Sequence, residues 1–191
     1  VYDVSHTDDQ TIRDALKAGK NPIIGSHSGA RKVFDHVRNI WDPEIVAMAQ
    51  KGGVIFQNFY GDFIEDPRGM YEIVNQIDYM VKLLEKPVAD GGAGFAKGKG
   101  VEYIGMGTDF DGGTNNADAN DARYVFRLSK ELLARGYTAA EIRKILYENA
   151  FRVIDKVQGN ASLSYRQGGT ATITAAKNSS NICPPVNQVS P

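Results

Sequence analysis

The sequence predicts an α/β fold in which four βα units form one parallel sheet. Short apolar stretches that suit buried strands alternate with longer stretches whose apolar residues recur at helical spacing. Repeated strand–helix units form parallel sheets joined by right-handed crossovers. No Gly-x-Gly-x-x-Gly turn follows the first strand, which argues against a dinucleotide-binding fold. Four such units make half of an eight-stranded barrel, and an open doubly wound sheet is the structural competitor.

Composition is that of an ordinary globular domain and excludes several classes of partner. The 191 residues carry a formal net charge of -1, so no basic excess points to nucleic acid or to an anionic membrane surface. No apolar run reaches the roughly 18 to 20 residues that span a bilayer, and the start shows no signal-peptide pattern. Cys183 is the single cysteine, so no intrachain disulfide can form. Because the chain opens inside an apparent strand, we expect an N-terminal portion of the protein to precede it.

The predicted strands end in polar side chains. Apolar residues lead into His6, His27, Asn58 and Asp109. The carboxyl ends of parallel strands lie at the same edge of a sheet, so we expect these side chains to share one site. The predicted strands span residues 1–6, 22–26, 54–58 and 101–108.

Helices are predicted between and after these strands from apolar spacing and from capping residues. Asp42, Pro43 and Glu44 are interpreted as the N-cap, the first helical proline and a first-turn acid of the second helix. Thr138 and Glu141 form a capping box at the start of the last helix. The predicted helices span residues 11–18, 42–51, 68–86, 121–134 and 138–157.

The connecting segments and the C-terminal part of the chain differ in composition from the predicted helices and strands. The polar segment 28–40 is interpreted as a functional loop with a helical turn, and the glycine-rich segment 88–100 as a flexible surface insertion. Residues 1–158 form the predicted domain, whereas residues 159–191 form a polar tail that is expected to be extended, peripheral or disordered. In the helix at 121–134, the residues predicted to face inward are Val125, Leu128, Leu132 and Leu133.

Two histidines are candidate metal ligands. His6 and His27 end successive predicted strands, and neutral imidazole is a good zinc ligand. Two such rings on adjacent strands could reach one metal ion. The alternative is that each histidine caps a helix or bonds a backbone group. The sequence contains only three histidines, and two of them fall at strand ends, which adds support to the metal interpretation.

Two further side chains are candidates for the same edge of the sheet. Asp109 and Asp111 would project to the same side of an extended chain. We interpret Asp109, at the strand end, as a proton carrier, and Asp111 as a turn-capping residue. Arg38 could bind a carboxylate with both arms of its guanidinium. The alternative for Arg38 is a surface arginine paired with Asp35 or Asp42.

Five motifs occur in order along residues 1 to about 157. They are Asp3-Val4-Ser5-His6, Pro22-Ile23-Ile24-Gly25-Ser26-His27-Ser28-Gly29-Ala30-Arg31, Asp35-His36-Val37-Arg38-Asn39, Gly105-Met106-Gly107-Thr108-Asp109-Phe110-Asp111-Gly112 and Asn149-Ala150-Phe151-Arg152-Val153. Together these motifs resemble the membrane dipeptidase (renal dipeptidase) family of zinc peptidases. The segment after Gly159 lies outside the resemblance.

The resemblance implies a (β/α)₈ TIM barrel with a dinuclear Zn²⁺ site at its C-terminal mouth and a dipeptide as substrate. This chain would supply about four βα units plus a C-terminal helix. By position, His6 and His27 match the two histidines that bind the second zinc. Arg38 matches the arginine that holds the terminal carboxylate of the substrate, and Asp109 matches the aspartate that moves a proton. His36 lies inside a matched motif, but we assign it no ligand role.

The sequence also departs from the family pattern. The His-x-Asp metal motif and the metal-bridging glutamate of the family are not in this chain. We expect them in a missing N-terminal half of the barrel, and we expect this chain alone to hydrolyse dipeptides poorly or not at all. The alternative is a non-catalytic or biosynthetic-pathway member that uses the barrel as a ligand-binding scaffold. The resemblance also allows a homodimer and an exported, periplasmic or membrane-associated location.

Overall fold

A computed structural model describes residues 1–65, 69–113, 115–116 and 118–158 of the chain. Four strands form one sheet with the order β1-β2-β3-β4, and every neighbouring pair is parallel. The strands are β1 (Tyr2–Asp3), β2 (Ile23–Ser28), β3 (Val54–Asn58) and β4 (Ile104–Gly107). The predicted parallel sheet of four βα units is therefore confirmed. The predicted tail at 159–191 lies outside the described residues.

Helices connect the strands and follow the last one. A π turn at Lys144–Glu148 joins α6 to α7, so the final predicted helix is one continuous helical stretch. None of the helices in the described part of the chain is long and apolar enough to cross a membrane. The helices are α1 (Asp9–Ala18), α2 (Asp42–Gln50), α3 (Met70–Glu85), α4 (Phe110–Gly113), α5 (Val125–Ala134), α6 (Ala139–Arg143) and α7 (Asn149–Gln158).

The core lies where the helices pack on the sheet. Ile45 of α2, Ile73 of α3 and Leu128 of α5 are completely buried together with Ile55 and Ile104 of the strands. Burying a large aliphatic side chain stabilises the fold by about 1.5 to 3 kcal/mol. This packing fixes the strands relative to one another and therefore fixes the positions of the residues at their ends.

Helix α7 is tied to the start of β4 by two polar side chains. Asn149 is buried, and its amide nitrogen donates to the backbone oxygens of Val101 and Ile104, each at 2.8 Å. Arg152 donates to the backbone oxygens of Gly52 and Glu102, each at 2.8 Å. These contacts explain why asparagine and arginine occur in the closing motif that begins at Asn149.

Replacing Asn149 with alanine is expected to lower the free energy of unfolding by about 2 to 4 kcal/mol, because two buried carbonyl oxygens lose their donor. Urea denaturation measures the change. The exposed Asn21→Ala variant is the control and should stay within about 0.5 kcal/mol of the wild type. Equal stability of the Asn149 and Asn21 variants would contradict the proposed anchoring.

Two predictions about helix residues are wrong. Asp42 is not the N-cap of α2, because Trp41 occupies that position and Asp42 is the first helical residue. Its carboxylate instead accepts a hydrogen bond from the Tyr79 hydroxyl at 2.6 Å. Leu133 was predicted to face inward, yet 56% of its surface is exposed. It lies about 100° around the helix from the buried stripe that contains Leu132.

The segment 88–100 is anchored to its neighbours, although its composition predicts a flexible insertion. The backbone amides of Gly94 and Phe95 donate to the carbonyl oxygens of Lys86 and Leu84, at 2.8 and 3.1 Å. The Phe95 ring stacks on Tyr103 with a centroid separation of 4.6 Å. This segment therefore forms a packed connection between α3 and β4.

Candidate active site at the strand ends

The first two strands bring two histidine rings together. His6 follows β1, His27 lies in β2, and their ring centroids are 4.9 Å apart at an interplanar angle of 57°. The pairing of β2 with β3 shifts register between Gly25 and Ser28, which brackets His27. Irregularities of this kind re-aim side chains and are frequent next to active sites. The two predicted metal-binding residues therefore lie side by side, and their role as ligands stays a prediction.

An unusual backbone conformation marks two of the predicted site residues. Within the described residues, the non-glycine residues with positive φ are His6, at 67°, and Asp109, at 58°. This left-handed conformation is uncommon for side-chain-bearing residues, although histidine and aspartate tolerate it better than most. Residues held in such conformations cluster at functional sites. The coincidence supports a functional interpretation of both residues.

A network of polar contacts holds His27. Ser26 Oγ donates to Asp3 Oδ2 at 2.5 Å and lies 2.8 Å from His27 Nδ1. The backbone amides of Ser26 and Ser5 donate to Asp3 Oδ1 at 2.9 and 3.0 Å. Ser5 Oγ accepts a hydrogen bond from the backbone amide of His27 at 3.0 Å and contacts Ser28 Oγ at 3.2 Å. The ends of β1 and β2 are thereby locked together around the imidazole.

Burial and four neighbouring groups set the pKa of His27. Burial lowers this pKa below its ordinary value, and the Asp109 carboxylate opposes the effect. Arg38 and His6 lower the pKa further, whereas Asp3 raises it. The net lowering keeps the imidazole neutral near pH 7, which is the form that binds metal ions. All four neighbours therefore lie within electrostatic reach of His27.

Arg38 rests on an aromatic ring at the edge of the site. The loop that carries it is closed by a parallel bridge between Ala30 and Ile40. The guanidinium carbon of Arg38 lies 4.8 Å from the centroid of Phe63, and His36 stacks on the same ring at 4.6 Å. Arg38 Nε and Nη2 are buried without a hydrogen-bond partner in the described part of the chain. A guanidinium with unused buried donors is suited to bind a carboxylate.

The surface alternative for Arg38 is wrong. Asp35 forms an ion pair with Arg31 at 2.9 Å, and Asp42 accepts a hydrogen bond from the Tyr79 hydroxyl of α3. Burial lowers the pKa of Arg38 from its ordinary value, while the carboxylates of Asp109 and Asp3 oppose that change. The guanidinium stays charged at neutral pH, because arginine side chains in proteins are effectively always protonated.

β4 leads to Asp109 at the same edge of the sheet, where the side chain is half-buried. The chain turns at this residue and continues into α4, so Asp111 lies exposed in that helix. The expectation that both aspartates project to the same side of an extended chain is therefore wrong. A Cβ atom at Gly112 would overlap Asp109 Oδ1, so glycine at this position leaves room for the carboxylate.

His6 and His27 fit a zinc site only as two of its ligands. Zinc accepts imidazole nitrogen and takes about four ligands, of which catalytic sites draw about three from the protein. In residues 1–65, 69–113, 115–116 and 118–158, no group of three or more His, Cys, Asp and Glu side chains is placed to hold a metal ion. The donor type suits zinc, but these two imidazoles alone do not complete a zinc site.

Three contributors to the site were not predicted from the sequence. Asp3 and Ser26 join the network around His27, and Phe63 supports Arg38. The usable sequence signals for the first two were that Asp3 lies three residues before His6 and that Ser26 directly precedes His27. No sequence pattern indicated Phe63, because it lies in a different loop from the guanidinium that it contacts.

A cavity elsewhere in the fold takes no part in this arrangement. It is lined by the start of β1, the end of α1 and the start of β2, and contains none of the predicted site residues. These are the amino ends of the strands, whereas parallel-sheet enzymes place their chemistry at the carboxyl ends. The residues that line the cavity include Tyr2, Thr11, Ala15, Pro22 and Ile23.

Comparison with known proteins points to one family. The family model described as Membrane dipeptidase (Peptidase family M19) matches residues 1–167. An uncharacterised protein in the pqqA 5′ region of Klebsiella pneumoniae is 27% identical over an alignment of 161 residues that covers 81% of this chain and 54% of that relative.

Solved structures with the same fold include two bacterial proteins. A metallopeptidase from Rhodobacter sphaeroides, liganded with a phosphinate mimic of the dipeptide L-Ala-D-Ala, is 24% identical with a TM-score of 0.68 over 81% of this chain and 41% of that chain. The probable dipeptidase PvdM from Pseudomonas aeruginosa is 21% identical with a TM-score of 0.69 over 82% of this chain and 50% of that chain. At these identities the likeness establishes the fold.

The structural likeness decides between the two predicted architectures. The fold is of the (β/α)₈ TIM-barrel type, and this chain supplies four parallel strands with their helices. The chain spans about half the length of the relatives that it matches. The open doubly wound sheet is therefore excluded.

Proposed function

Because the chain belongs to the membrane dipeptidase family, we propose that its strand ends form part of the active site of a zinc-dependent dipeptidase. The observation that carries this proposal is the convergence of four groups at one edge of the sheet. The rings of His6 and His27 are adjacent, and the charges of Arg38 and Asp109 both influence His27. A metal site, an anion site and a proton carrier are the groups that a metal-dependent peptidase for short substrates with a free carboxylate would use.

Arg38 is proposed to bind the terminal carboxylate of the substrate. Its buried Nε and Nη2 atoms have unused hydrogen atoms, and its guanidinium lies over Phe63. A carboxylate held by such a fork fixes the distance from the chain end to the scissile bond. This arrangement would favour short substrates with a free terminal carboxylate, such as dipeptides.

Asp109 is proposed to transfer a proton during hydrolysis. Its carboxylate is half-buried and lies within electrostatic reach of His27 and Arg38. A carboxylate in that position can accept a proton from water and return it to the leaving amine. A zinc ion held by His6 and His27 would supply a Lewis acid for the scissile carbonyl and lower the pKa of a water molecule.

We further propose that the complete metal site needs ligands outside the described part of this chain. Only two imidazoles meet at the site, and no larger group of metal-binding side chains forms among the described residues. We propose that these ligands come from the missing half of the barrel, because this chain covers only 54% of the Klebsiella pneumoniae relative and 41% of the Rhodobacter sphaeroides metallopeptidase. The competing proposal is a member that has lost catalysis and uses the barrel as a ligand-binding scaffold.

The zinc content of the purified 191-residue chain is expected to be at most one weakly held ion per chain. Two imidazoles leave about half of the tetrahedral zinc coordination to water, which weakens binding. Elemental analysis on material of verified intact mass measures the content. The His6→Ala/His27→Ala double variant should lose the ion, whereas the His36→Ala variant should retain it. Two tightly bound zinc ions per chain would contradict the incomplete site.

Dipeptide hydrolysis tests the enzymatic proposal. The first sample is the chain alone with zinc, for which we expect little or no turnover of L-Ala-D-Ala. The second sample is a chimeric enzyme in which the matched part of this chain replaces the corresponding part of the Rhodobacter sphaeroides metallopeptidase. We expect the chimeric enzyme to hydrolyse dipeptides in a zinc-dependent manner.

The two samples separate the competing proposals. Rapid hydrolysis of L-Ala-D-Ala by the chain alone would contradict the proposal that further zinc ligands are needed. It would still support the proposal that the protein is a dipeptidase. A folded chimeric enzyme that binds two zinc ions and hydrolyses no dipeptide of a broad panel would favour the scaffold. Circular dichroism and zinc analysis establish that the chimeric enzyme is folded and loaded before activity is judged.

A further inference from the structure

The directions of the hydrogen bonds around Ser26 follow from the number of protons available. A serine hydroxyl has one proton to donate, and an ionised carboxylate only accepts. Aspartate is ionised near neutral pH, so the Ser26 proton is donated to Asp3 Oδ2 at 2.5 Å. Ser26 Oγ must then be the acceptor in its 2.8 Å contact with His27 Nδ1. The proton of a neutral His27 therefore resides on Nδ1.

We propose that Asp3, acting through Ser26, is a positioning residue that holds His27 as its Nδ1-protonated tautomer and leaves Nε2 as the metal-binding nitrogen. Neutral imidazole binds a metal through its unprotonated nitrogen, and the hydrogen bond made by the other nitrogen selects which one that is. In the described part of the chain, Nδ1 has a partner and no hydrogen bond to Nε2 is found. The metal-binding part of this inference rests on the proposed function.

We call the hydrogen-bonded chain from Asp3 through Ser26 to His27 the relay. The relay is rigid because it connects two strands. Asp3 lies in β1, whereas Ser26 and His27 lie in β2 at the irregularity of the sheet. Three hydrogen bonds fix the Asp3 carboxylate, two from Ser26 and one from the Ser5 amide. The orientation of the acceptor for Nδ1 is therefore set before any metal binds. Such preorganisation of ligands is typical of metal sites whose outer partners are carboxylates.

Nitrogen-15 NMR of the metal-free 191-residue chain tests the tautomer directly. The imidazole signals of His27 are assigned by comparison with the His27→Ala variant. At a pH where His27 is neutral, we expect the Nδ1-protonated pattern for His27. An Nε2-protonated pattern, or an average of both tautomers, would overturn the relay. This result does not depend on enzymatic activity, so it is independent of the outcome of the dipeptidase assay.

The Asp3→Asn variant is expected to reverse the relay. Its amide group can donate to Ser26 Oγ, and the Ser26 proton is then donated to His27 Nδ1, which moves the histidine proton to Nε2. We expect the Nε2-protonated pattern and a 10- to 100-fold weaker Kd for the zinc ion of the chain, which is the range for outer-sphere partners of metal-binding histidines. Titration with zinc and a competing chelator measures Kd.

The Asp14→Asn variant is the matched control, because Asp14 lies exposed on α1 and its hydrogen bond and ion pair, within the described residues, are to Gln10 and Lys17. It should leave both the tautomer and the zinc Kd unchanged. The Ser26→Ala variant provides a second test, since it removes the acceptor for Nδ1 and should yield a mixture of tautomers. Wild-type tautomer patterns in both the Asp3 and the Ser26 variants would overturn the proposal.

Discussion

Replacing Arg38 with alanine in the chimeric enzyme is expected to lower kcat/KM for dipeptides by about a hundredfold or more. The change removes charge-assisted hydrogen bonds to the terminal carboxylate of the substrate, together worth about 3 kcal/mol, and each 1.4 kcal/mol is about a factor of ten. Arg38 Nε and Nη2 are buried without a hydrogen-bond partner in the described part of the chain, so the substrate carboxylate would not have to displace another acceptor from them. Steady-state kinetics with L-Ala-D-Ala measure the loss.

A dipeptide with an amidated C-terminus makes this prediction specific. The wild-type chimeric enzyme should prefer the free carboxylate strongly, whereas the Arg38→Ala variant should hydrolyse both substrates at similar low rates. The Arg38→Lys variant keeps the positive charge but loses the two-armed hydrogen bonding of the guanidinium. Its preference for the free carboxylate should therefore lie between those of the wild type and the Arg38→Ala variant. The Arg123→Ala variant is the control, because this arginine is exposed and pairs with Asp121. An unchanged preference in the Arg38→Ala variant would exclude a carboxylate-binding role.

Replacing Asp109 with asparagine is expected to lower kcat by about 10²- to 10⁴-fold with little change in KM, because a general acid–base group is removed while the substrate contacts remain. Asparagine is the appropriate replacement, since it tolerates the left-handed backbone that Asp109 adopts at φ 58°. An alanine at this position would combine the loss of the carboxylate with backbone strain. Stopped-flow or steady-state assays of the chimeric enzyme measure kcat.

Asp111, two residues after Asp109, provides the matched control for the Asp109→Asn variant. Asp111 is exposed in α4, and its conversion to asparagine should leave kcat within about twofold of the wild type. Equal losses in the two variants would indicate a general electrostatic effect of negative charge near the site. An Asp109→Asn variant with wild-type kcat and zinc content would show that another group moves the proton.

Most of the fold was predictable because local patterns determine it. The alternation of apolar strands with amphipathic stretches predicted the parallel sheet, and the capping box at Thr138 and Glu141 is present in the structure. Errors occurred where position on a helix surface decides burial. Leu133 is as apolar as Leu132, yet only Leu132 lies on the buried stripe of α5.

The placement of the principal candidate residues was predictable for a related reason, whereas their roles stay predictions. His6, His27 and Asp109 each stand at or just after the end of a strand, and a parallel sheet brings such positions to one edge. Arg38 required more than position, because its loop contains several charged residues. Only the structure shows that Asp35 pairs with Arg31 and not with Arg38. It also shows that the buried donors Nε and Nη2 of Arg38 have no hydrogen-bond partner in the described part of the chain.

The sequence by itself determined the order of the elements, the parallel sheet and the residues that reach its carboxyl edge, because apolar periodicity and strand-end position are local properties of the chain. The tertiary structure alone decided how those residues are supported. Asp3 reaches Ser26 across two strands, and Phe63 lies beneath Arg38. Such contacts depend on strand register, on the irregularity near His27 and on loop packing. These properties arise from the whole fold, and no local pattern encodes them.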